Sequence, residues 1–430
     1  MGSDRPRGRF RGWRGVALTL AAVAGGAVVE PQRAAAAETA YVRSSAEFQA
    51  AVDRFRWSGG RIVLRGARYD LLTVGPRGSA RLTIRGTRNA SVGLIRLNSA
   101  RNVTIVQVRM TPRGAPAGVS GSYVRNVKLD RVVVTGGTTG IRANVVLLDS
   151  YGITIRKSLF TRCGDLAVCY LTGRSSMIRI LKNRFRDCYG CDFVRGNFGH
   201  DLVIRDNQFD RSLVGPCGTD NARCNHQEMI ELHKGRYLTI ERNRFGVYEP
   251  PGAGQIALFG PVNDVRIRNN LFLRTDRRAP GLVARVGINL GGYGKHPKRV
   301  VIAHNTILSG RPHWRGFANS IRLKPTYAFM QEEDRPVIAN NIIRLARTPY
   351  YFCRGARLTA GNLVERGEPC SKGDLLGPAN LNALGRPTAA SVNVIGRGVP
   401  RWKTRFDMRR IPRDADPDAG AFEYVAPTGR

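Results

Sequence analysis

The chain has 430 residues, 42% of them hydrophobic, a length that allows two or three ordinary domains or one long repetitive one. Only one long apolar run stands out, "VALTLAAVAGGAVV" over 16–29, and it is short of the roughly 20 residues a membrane helix needs, which argues against a membrane anchor. The net charge of +37 would draw a polyanion, yet only nine of the 69 basic residues are Lys, an Arg bias that GC-rich coding would also produce, and no nucleic-acid-binding motif is visible.

Residues 1–37 read as an export signal peptide. The basic stretch "RPRGRFRGWRG" precedes the apolar run, and "AAAA" ending at Ala37 offers an A-x-A cleavage site. Without an Arg-Arg pair, the general secretory route is favoured over the twin-arginine one. Those residues carry six Arg against Asp4 and Glu30, a net +4, so the remainder carries +33. It is expected to be secreted, free of the membrane after cleavage, and monomeric. All eight cysteines lie beyond Ala37, an even number that suits disulfides in an oxidising compartment.

Residues 38–60 read as a capping segment. In "SSAEFQAAVDRFRWSGG" the apolar residues Phe48, Ala51 and Val52 recur at helical spacing, with Ser45 as the expected N-cap. From 61 to 365 one phrase then returns: an alternating strand, an Asn, and an aromatic or aliphatic residue two places on. It reads "IRILKNRF" (Asn183, Phe185), "LVIRDNQF" (Asn207, Phe209), "LTIERNRF" (Asn243, Phe245), "VRIRNNLF" (Asn270, Phe272), "VVIAHNTI" (Asn305, Ile307) and "PVIANNII" (Asn341, Ile343). Weaker copies precede these. The last strand isoleucine, or its equivalent, falls at 84, 105, 129, 155, 180, 204, 240, 267, 302 and 338.

Period-two alternation makes these strands, and units near 24 residues leave no room for the crossover helix of a βαβ unit. The remaining way to stack them in parallel is a solenoid, one coil per repeat. The recurring Asn then has a task at each corner: stacked amides can donate and accept along the axis as a ladder. Residues 366–430 read as a closing segment that includes "DADPDAGAFEY".

Over roughly 41–365 the chain resembles the right-handed parallel β-helix proteins of the pectin-lyase-like superfamily. The entry helix followed by "GG-x-I-V-L-x-G-x-x-Y" and the tail like "PDIGAFEY" carry that likeness beside the repeat. It implies an all-β, single-stranded, right-handed parallel β-helix of about ten coils with an N-terminal capping helix that covers the open edge. The superfamily includes lyases, hydrolases, epimerases and adhesins, so the fold alone names no chemistry.

A second strand in each coil lies upstream of the Asn. Aligning "VRGN", "IELHKG", "IALFG", "INLGG" and "IRLKP" on their first residues predicts two outward columns. One holds Arg195, Glu231, Ala257, Asn289 and Arg322; the other holds Asn197, His233, Phe259, Gly291 and Lys324. Outward strand positions are polar on any solvated sheet, so the columns alone are weak signals. Two residues before the aligned starts, however, stand Asp192 and Glu228, expected about 5 Å apart on consecutive coils. Such a pair needs a cation, a proton or an arginine between its members. A regular strand would bury Glu228, so the chain is expected to be turning there, leaving it on the rim of the face.

The cysteines leave pairings open. Cys163 and Cys188 each follow a repeat Phe by three and are expected to stack, leaving Cys169–Cys191 and Cys353–Cys370; Cys163–Cys169 with Cys188–Cys191 is the alternative. Cys217–Cys224 would pin the loop before the acidic cluster. A zinc site from Cys188, Cys191, Cys217 and Cys224 is a further alternative.

Polysaccharide-active members of the superfamily bind along such a face, which implies an acidic, uronate-containing polysaccharide as partner and a lyase as the activity. Calcium held by Asp192, Glu228 and Glu231 would neutralise the uronate. His233, Lys234 or Arg195 would serve as base and His226 as acid, with Arg195, Lys234, Asn289, Arg322 and Lys324 gripping the polymer. A glycosidase using the close carboxylates Asp192 and Glu228 as acid and nucleophile is the near relative. The "DPHD" of alginate epimerases, the polygalacturonase set and the "R-x-P-x-x-R" of pectate lyases are absent. A non-catalytic exported β-helix that binds surface polysaccharide is therefore the alternative reading.

Overall fold

The computed structural model describes residues 37–426 other than 67, 113–116, 137–142, 163–166, 190, 214–227, 247–253, 274–286, 292–294, 309–318, 345–347, 352–354 and 366. Residues 1–36 of the expected export signal, His226, Cys163, Cys217, Cys224 and Cys353 thus lie outside the described residues. Among the described residues no helix is long and apolar enough to cross a membrane.

The chain winds as a right-handed parallel β-helix. Each coil carries up to three short strands, as in Ala167–Thr172, Ile178–Leu181 and Arg184–Arg186. Within the stack a strand pairs in parallel with its equivalents one coil before and one coil after, as Ala167–Thr172 does with Ala143–Leu148 and Asp192–Arg205. The isoleucine positions spaced along the sequence are direct partners: Ile84 with Ile105, Leu129 with Ile155, Ile204 with Ile240, Ile267 with Ile302. Unequal unit lengths do not disturb this register because the extra residues lie between strands, either before the first strand of a coil, as between Leu213 and Ile230, or between its first and second strands, as with the short helices Pro325–Phe329 and Glu332–Asp334.

Two features hold the corners. The residue before each ladder Asn is left-handed, with φ of 53–59° at Lys182, Asp206, Arg242, Asn269, His304 and Asn340. That conformation is unfavourable for side-chain-bearing residues, and the amides it positions offset the cost. Asn183, Asn207, Asn243, Asn270, Asn305 and Asn341 each donate to the next amide oxygen at 3.0–3.1 Å or, at the last step to Asn362, 2.9 Å. Asp374 ends the series by accepting from Asn362 at 2.7 Å. Phe185, Phe209, Phe245 and Phe272, two residues beyond Asn183, Asn207, Asn243 and Asn270, stack in the interior together with Phe160, two beyond Ser158, with ring centroids 4.6–5.2 Å apart.

At the N-terminal end the helix Ser45–Arg54 buries Phe48, Ala51 and Val52. Its N-cap is Ser44, not the expected Ser45: the Ser44 hydroxyl accepts from the Glu47 N–H at 3.1 Å, and Glu47 returns to the Arg43 N–H at 2.7 Å. This reciprocal bonding resembles a capping box and starts the helix one residue earlier.

The described C-terminal residues run back along the left-handed corner as a strap. Val399 N–H donates to Asn340 at 2.7 Å, Asn269 donates to the Phe406 carbonyl at 2.8 Å, and Arg410 reaches Asp206 at 2.8 Å.

The cysteine pairing differs from the first expectation. Cys188 is bonded to Cys191, with Cα atoms 5.7 Å apart. Cys169 is a free thiol on an inward strand position, in register with Val145 and Val194, and cannot reach Cys191 from there. The Cys163–Cys188 and Cys169–Cys191 pairs are thereby excluded, as is Cys163–Cys169, and the zinc alternative loses two ligands. Cys370 is disulfide-bonded.

Candidate active site

The strand Asp192–Arg205 begins at a corner. Phe193 and Val194 are both fully buried, so two consecutive residues face inward and strict alternation is broken. The Phe193 ring meets Phe185 at 5.8 Å and Phe209 at 5.7 Å, which fixes it inside. Met229 and Ile230 repeat this one coil on, both fully buried. Asp192 and Glu228 are thus turned out of the interior onto the Arg195 side, as expected of a chain still bending. They are not on a solvent rim, however: Asp192 and Glu228 are both 0% exposed.

The first outward column stands as aligned. Arg195 pairs with Glu231, Glu231 with Ala257, Ala257 with Asn289, and Asn289 with Arg322. The second column needs a correction at its start. Asn197 pairs with Lys234, not His233, because a register shift follows Gly196. His233 is the extra residue of a β-bulge, which re-aims its ring. It lies 5.9 Å from the Phe259 ring, as a column neighbour should. At Gly196 the φ of 126° and the Leu171 carbonyl oxygen, 1.9 Å from where a Cβ would stand, require glycine.

Three carboxylates meet in this corner. Asp192, Glu228 and Glu231 each present an oxygen, all within 4.8 Å of one another. Asp192 Oδ1 accepts the Glu228 backbone N–H at 2.7 Å. Arg195 bridges the group, with Nη1 3.2 Å from Asp192 Oδ2 and Nη2 3.6 Å from Glu231 Oε1. Glu231 Oε1 also holds His233 Nε2 at 2.6 Å.

Burial divides the acids. It pushes the Asp192 carboxyl well above the usual range, and the charges of Glu231 and Glu228 add to it. Burial also opposes ionisation of Glu231, but the His233 bond, Arg195 and a hydrogen bond from Asp192 outweigh it and hold Glu231 below its ordinary value. Burial disfavours the charged Arg195 too, yet the facing acids raise its pKa. In this corner the neutral form of Asp192 and the ionised form of Glu231 are thus favoured relative to their ordinary values, with the Arg195 guanidinium across both.

The donor set also suits a hard divalent cation, since three carboxylates converge and Glu231 Oε2 has no hydrogen-bond partner among the described residues. Further along, Asn289 is buried and its Oδ1 likewise has no hydrogen-bond partner among the described residues, while Arg322 is half-buried. Burial, then Arg322, lowers the Lys324 pKa, and Gly291 lies against the Lys324 chain. Lys234 is exposed.

Tyr170 was not among the residues singled out from the sequence. It pairs with Arg195 on the preceding coil, half-buried on the same face. Cys169 lies opposite Val194, so extending the strand alignment one coil back to "VCYL" would have found it.

No protein-family model matches the chain, and no curated protein matches it. In structure it resembles the A-module of a mannuronan C-5 epimerase from Azotobacter vinelandii, with 12% identity, 78% of this chain and 95% of that one covered, and a TM-score of 0.45. A tailspike of E. coli bacteriophage HK620 in complex with a hexasaccharide gives 15% identity, 79% and 64% coverage, and 0.47. A pectate lyase gives 14% identity, 91% and 97% coverage, and 0.46. These likenesses describe the winding of the chain and do not bear on the chemistry of its acidic corner.

Proposed function

We propose that this is an exported, carbohydrate-active β-helix that cleaves an acidic, uronate-containing polysaccharide by β-elimination, with His233 as the base. The observation that carries the reading is the division between buried and open groups. Asp192, Glu228 and Glu231 are 0%, 0% and 3% exposed, whereas the His233 side chain is 38% exposed. A glycosidase needs carboxylates that touch the glycosidic oxygen and the anomeric carbon. These cannot; the open histidine can reach a sugar proton.

The chemistry follows from the contacts. Glu231 accepts from His233 Nε2–H, which leaves Nδ1 as the free basic nitrogen. Nδ1 takes the C5 proton, the C–H electron pair forms the C4–C5 double bond, and the C4–O bond breaks. Arg195 stands one coil away to balance the uronate carboxylate as charge moves onto it. Lys234 supplies the proton for the leaving oxygen. Asn289, Arg322 and Lys324 extend the same face for further sugars. Asp192, Glu228 and Glu231 are the residues that would hold calcium. When bound, the ion would supply positive charge at the buried carboxylates beside Arg195.

The test is an assay on uronate polymers, with and without calcium, that follows ultraviolet absorbance of the unsaturated product and new reducing ends. His233→Gln should lose activity by about 100-fold or more while its melting temperature stays near that of the native chain. Reducing ends without absorbance would mean hydrolysis. Binding without either product on any polymer would favour the second reading, a non-catalytic polysaccharide binder, which the complete burial of the three acids supports.

A further inference from the structure

Several coils before the acidic corner, and on the faces formed by the second and third strands, lies a concavity of about 550 Å³. Five arginines line it: Arg61, Arg85, Arg88, Arg109 and Arg131. All five are exposed, and no carboxylate lines it among the described residues. Elsewhere on the coils several basic side chains are matched by acids. Arg242 meets Asp206 at 2.8 Å, Arg268 meets Glu241 at 3.1 Å, and Arg299 meets Asp264 at 2.7 Å. Here only Arg131 has an acid near, Asp130 at 3.8 Å, and that carboxylate is already held by Arg156 at 2.8 Å and Lys128 at 3.4 Å.

Arg61, Arg85 and Arg109 belong to successive coils, in the strands Gly60–Leu64, Leu82–Gly86 and Arg109–Met110. They do not stack on one another: Arg61 is in register with Thr83, Arg85 with Val63, and Arg109, on the third strand, with Ser91 and Val133, so the arginines are spread across the two faces as well as along the axis. Uncompensated guanidinium groups gathered in one concavity repel one another until anions enter between them. Thr39, Thr87 and Gln107 add neutral hydrogen-bonding groups, and the exposed Tyr41 ring lies under the Arg65 guanidinium at 3.8 Å.

We infer that this concavity is a second binding site, separate from the acidic corner, that takes the carboxylates of an acidic glycan lying across the second- and third-strand faces. A glycan is favoured over a nucleic acid because the guanidinium groups are interspersed with neutral hydroxyl and amide groups, and Tyr41 offers a single ring and no series of stacking platforms. The inference does not depend on turnover at His233, since binding here is measured without any product.

The experiment is affinity electrophoresis of the protein in gels containing alginate, neutral dextran or single-stranded DNA. The double variant Arg85→Ser/Arg109→Ser is compared with a control, Arg179→Ser/Arg244→Ser, which removes the same charge from exposed positions outside the concavity. The expected result is at least about tenfold weaker alginate binding for the first variant, a loss two charge-assisted bonds can account for. The control should stay within about twofold of the native chain, and none should bind dextran. An equal loss in both variants would reduce the effect to net charge and overturn the site. Unchanged alginate binding in the first variant would also overturn it, as would DNA binding as tight as alginate binding with the same dependence on Arg85 and Arg109.

Discussion

Asp192 and Glu231 stand on neighbouring coils and are both buried, yet they titrate in opposite directions. Asp192 is raised, first by burial and then by the facing acids; Glu231 is lowered because His233, Arg195 and Asp192 outweigh its burial. The consequences for stability have opposite signs. The Asp192 contribution is complete below its ordinary, unfolded value and is lost as pH rises towards and through its raised folded value. The Glu231 contribution is present above its ordinary value and is lost as pH falls through its lowered folded value. Asp192→Asn removes the first term, while its amide N–H can still donate to Glu231. Its melting temperature relative to the native chain should improve steadily as pH is raised from acid towards neutrality. A difference that stays constant across that range would show that Asp192 is ionised in the folded state. Added calcium should raise the native melting temperature more than that of Asp192→Asn if these carboxylates bind the ion, because the variant offers one fewer anionic ligand.

At the scale of the strand and corner, the ladder amides hold the coils in register. Asn243 donates to the Ile204 carbonyl at 2.8 Å and to Asn270 at 3.1 Å, and it accepts from the Asn207 backbone and side chain at 2.9 and 3.0 Å. Asn243→Ala would orphan several buried groups at about 1–3 kcal/mol each. A total loss of about 3–6 kcal/mol is expected, measured by denaturant unfolding; a loss under about 1 kcal/mol would mean that water replaces the amide. These corners were legible in the sequence because the same phrase returns, and every isoleucine position read from it finds its expected partner. Less legible was anything that breaks alternation. Nothing local in "IELHKG" announces that His233 is an inserted residue; the bulge arises because the paired strand makes its own glycine turn at Gly196. Likewise Cys188 looked like a stacking partner of Cys163, with Cys188–Cys191 as the alternative, and the structure takes that alternative, with Cα atoms 5.7 Å apart. Full burial of Asp192 and Glu228 was not legible either, since it depends on what surrounds the corner and not on the strand phase.

For the molecule as a whole, the long-range element is the strap that ties the C-terminal residues to the coils, and Arg413 is its centre. Its side chain is 0% exposed and forms an ion pair with Glu423. It also donates to Asn269 at 3.1 Å, the Asp418 carbonyl at 3.1 Å and the Gly420 carbonyl at 2.7 Å. One guanidinium therefore joins a coil corner to both ends of the "DAGAFE" turn. Removing one partner of such a buried pair leaves uncompensated charge at about 3–5 kcal/mol. Arg413→Leu should free the strap while the coils, held by their own ladder, remain folded. Limited proteolysis should then cut within 377–426 well before it cuts the coils, and equal resistance in variant and native chain would contradict this role. The strap also carries a pH dependence of stated sign. Burial pushes the Glu423 carboxyl up to about 7, with Arg413 opposing and Asp418 adding to the rise. A raised carboxyl stabilises the fold fully below its ordinary value, and that contribution declines as pH climbs through about 7. Proteolysis of the strap should accordingly quicken between mildly acid and mildly alkaline pH. Glu423→Gln, which cannot ionise, should flatten that dependence, and a slope that survives the substitution would assign the titration to another group.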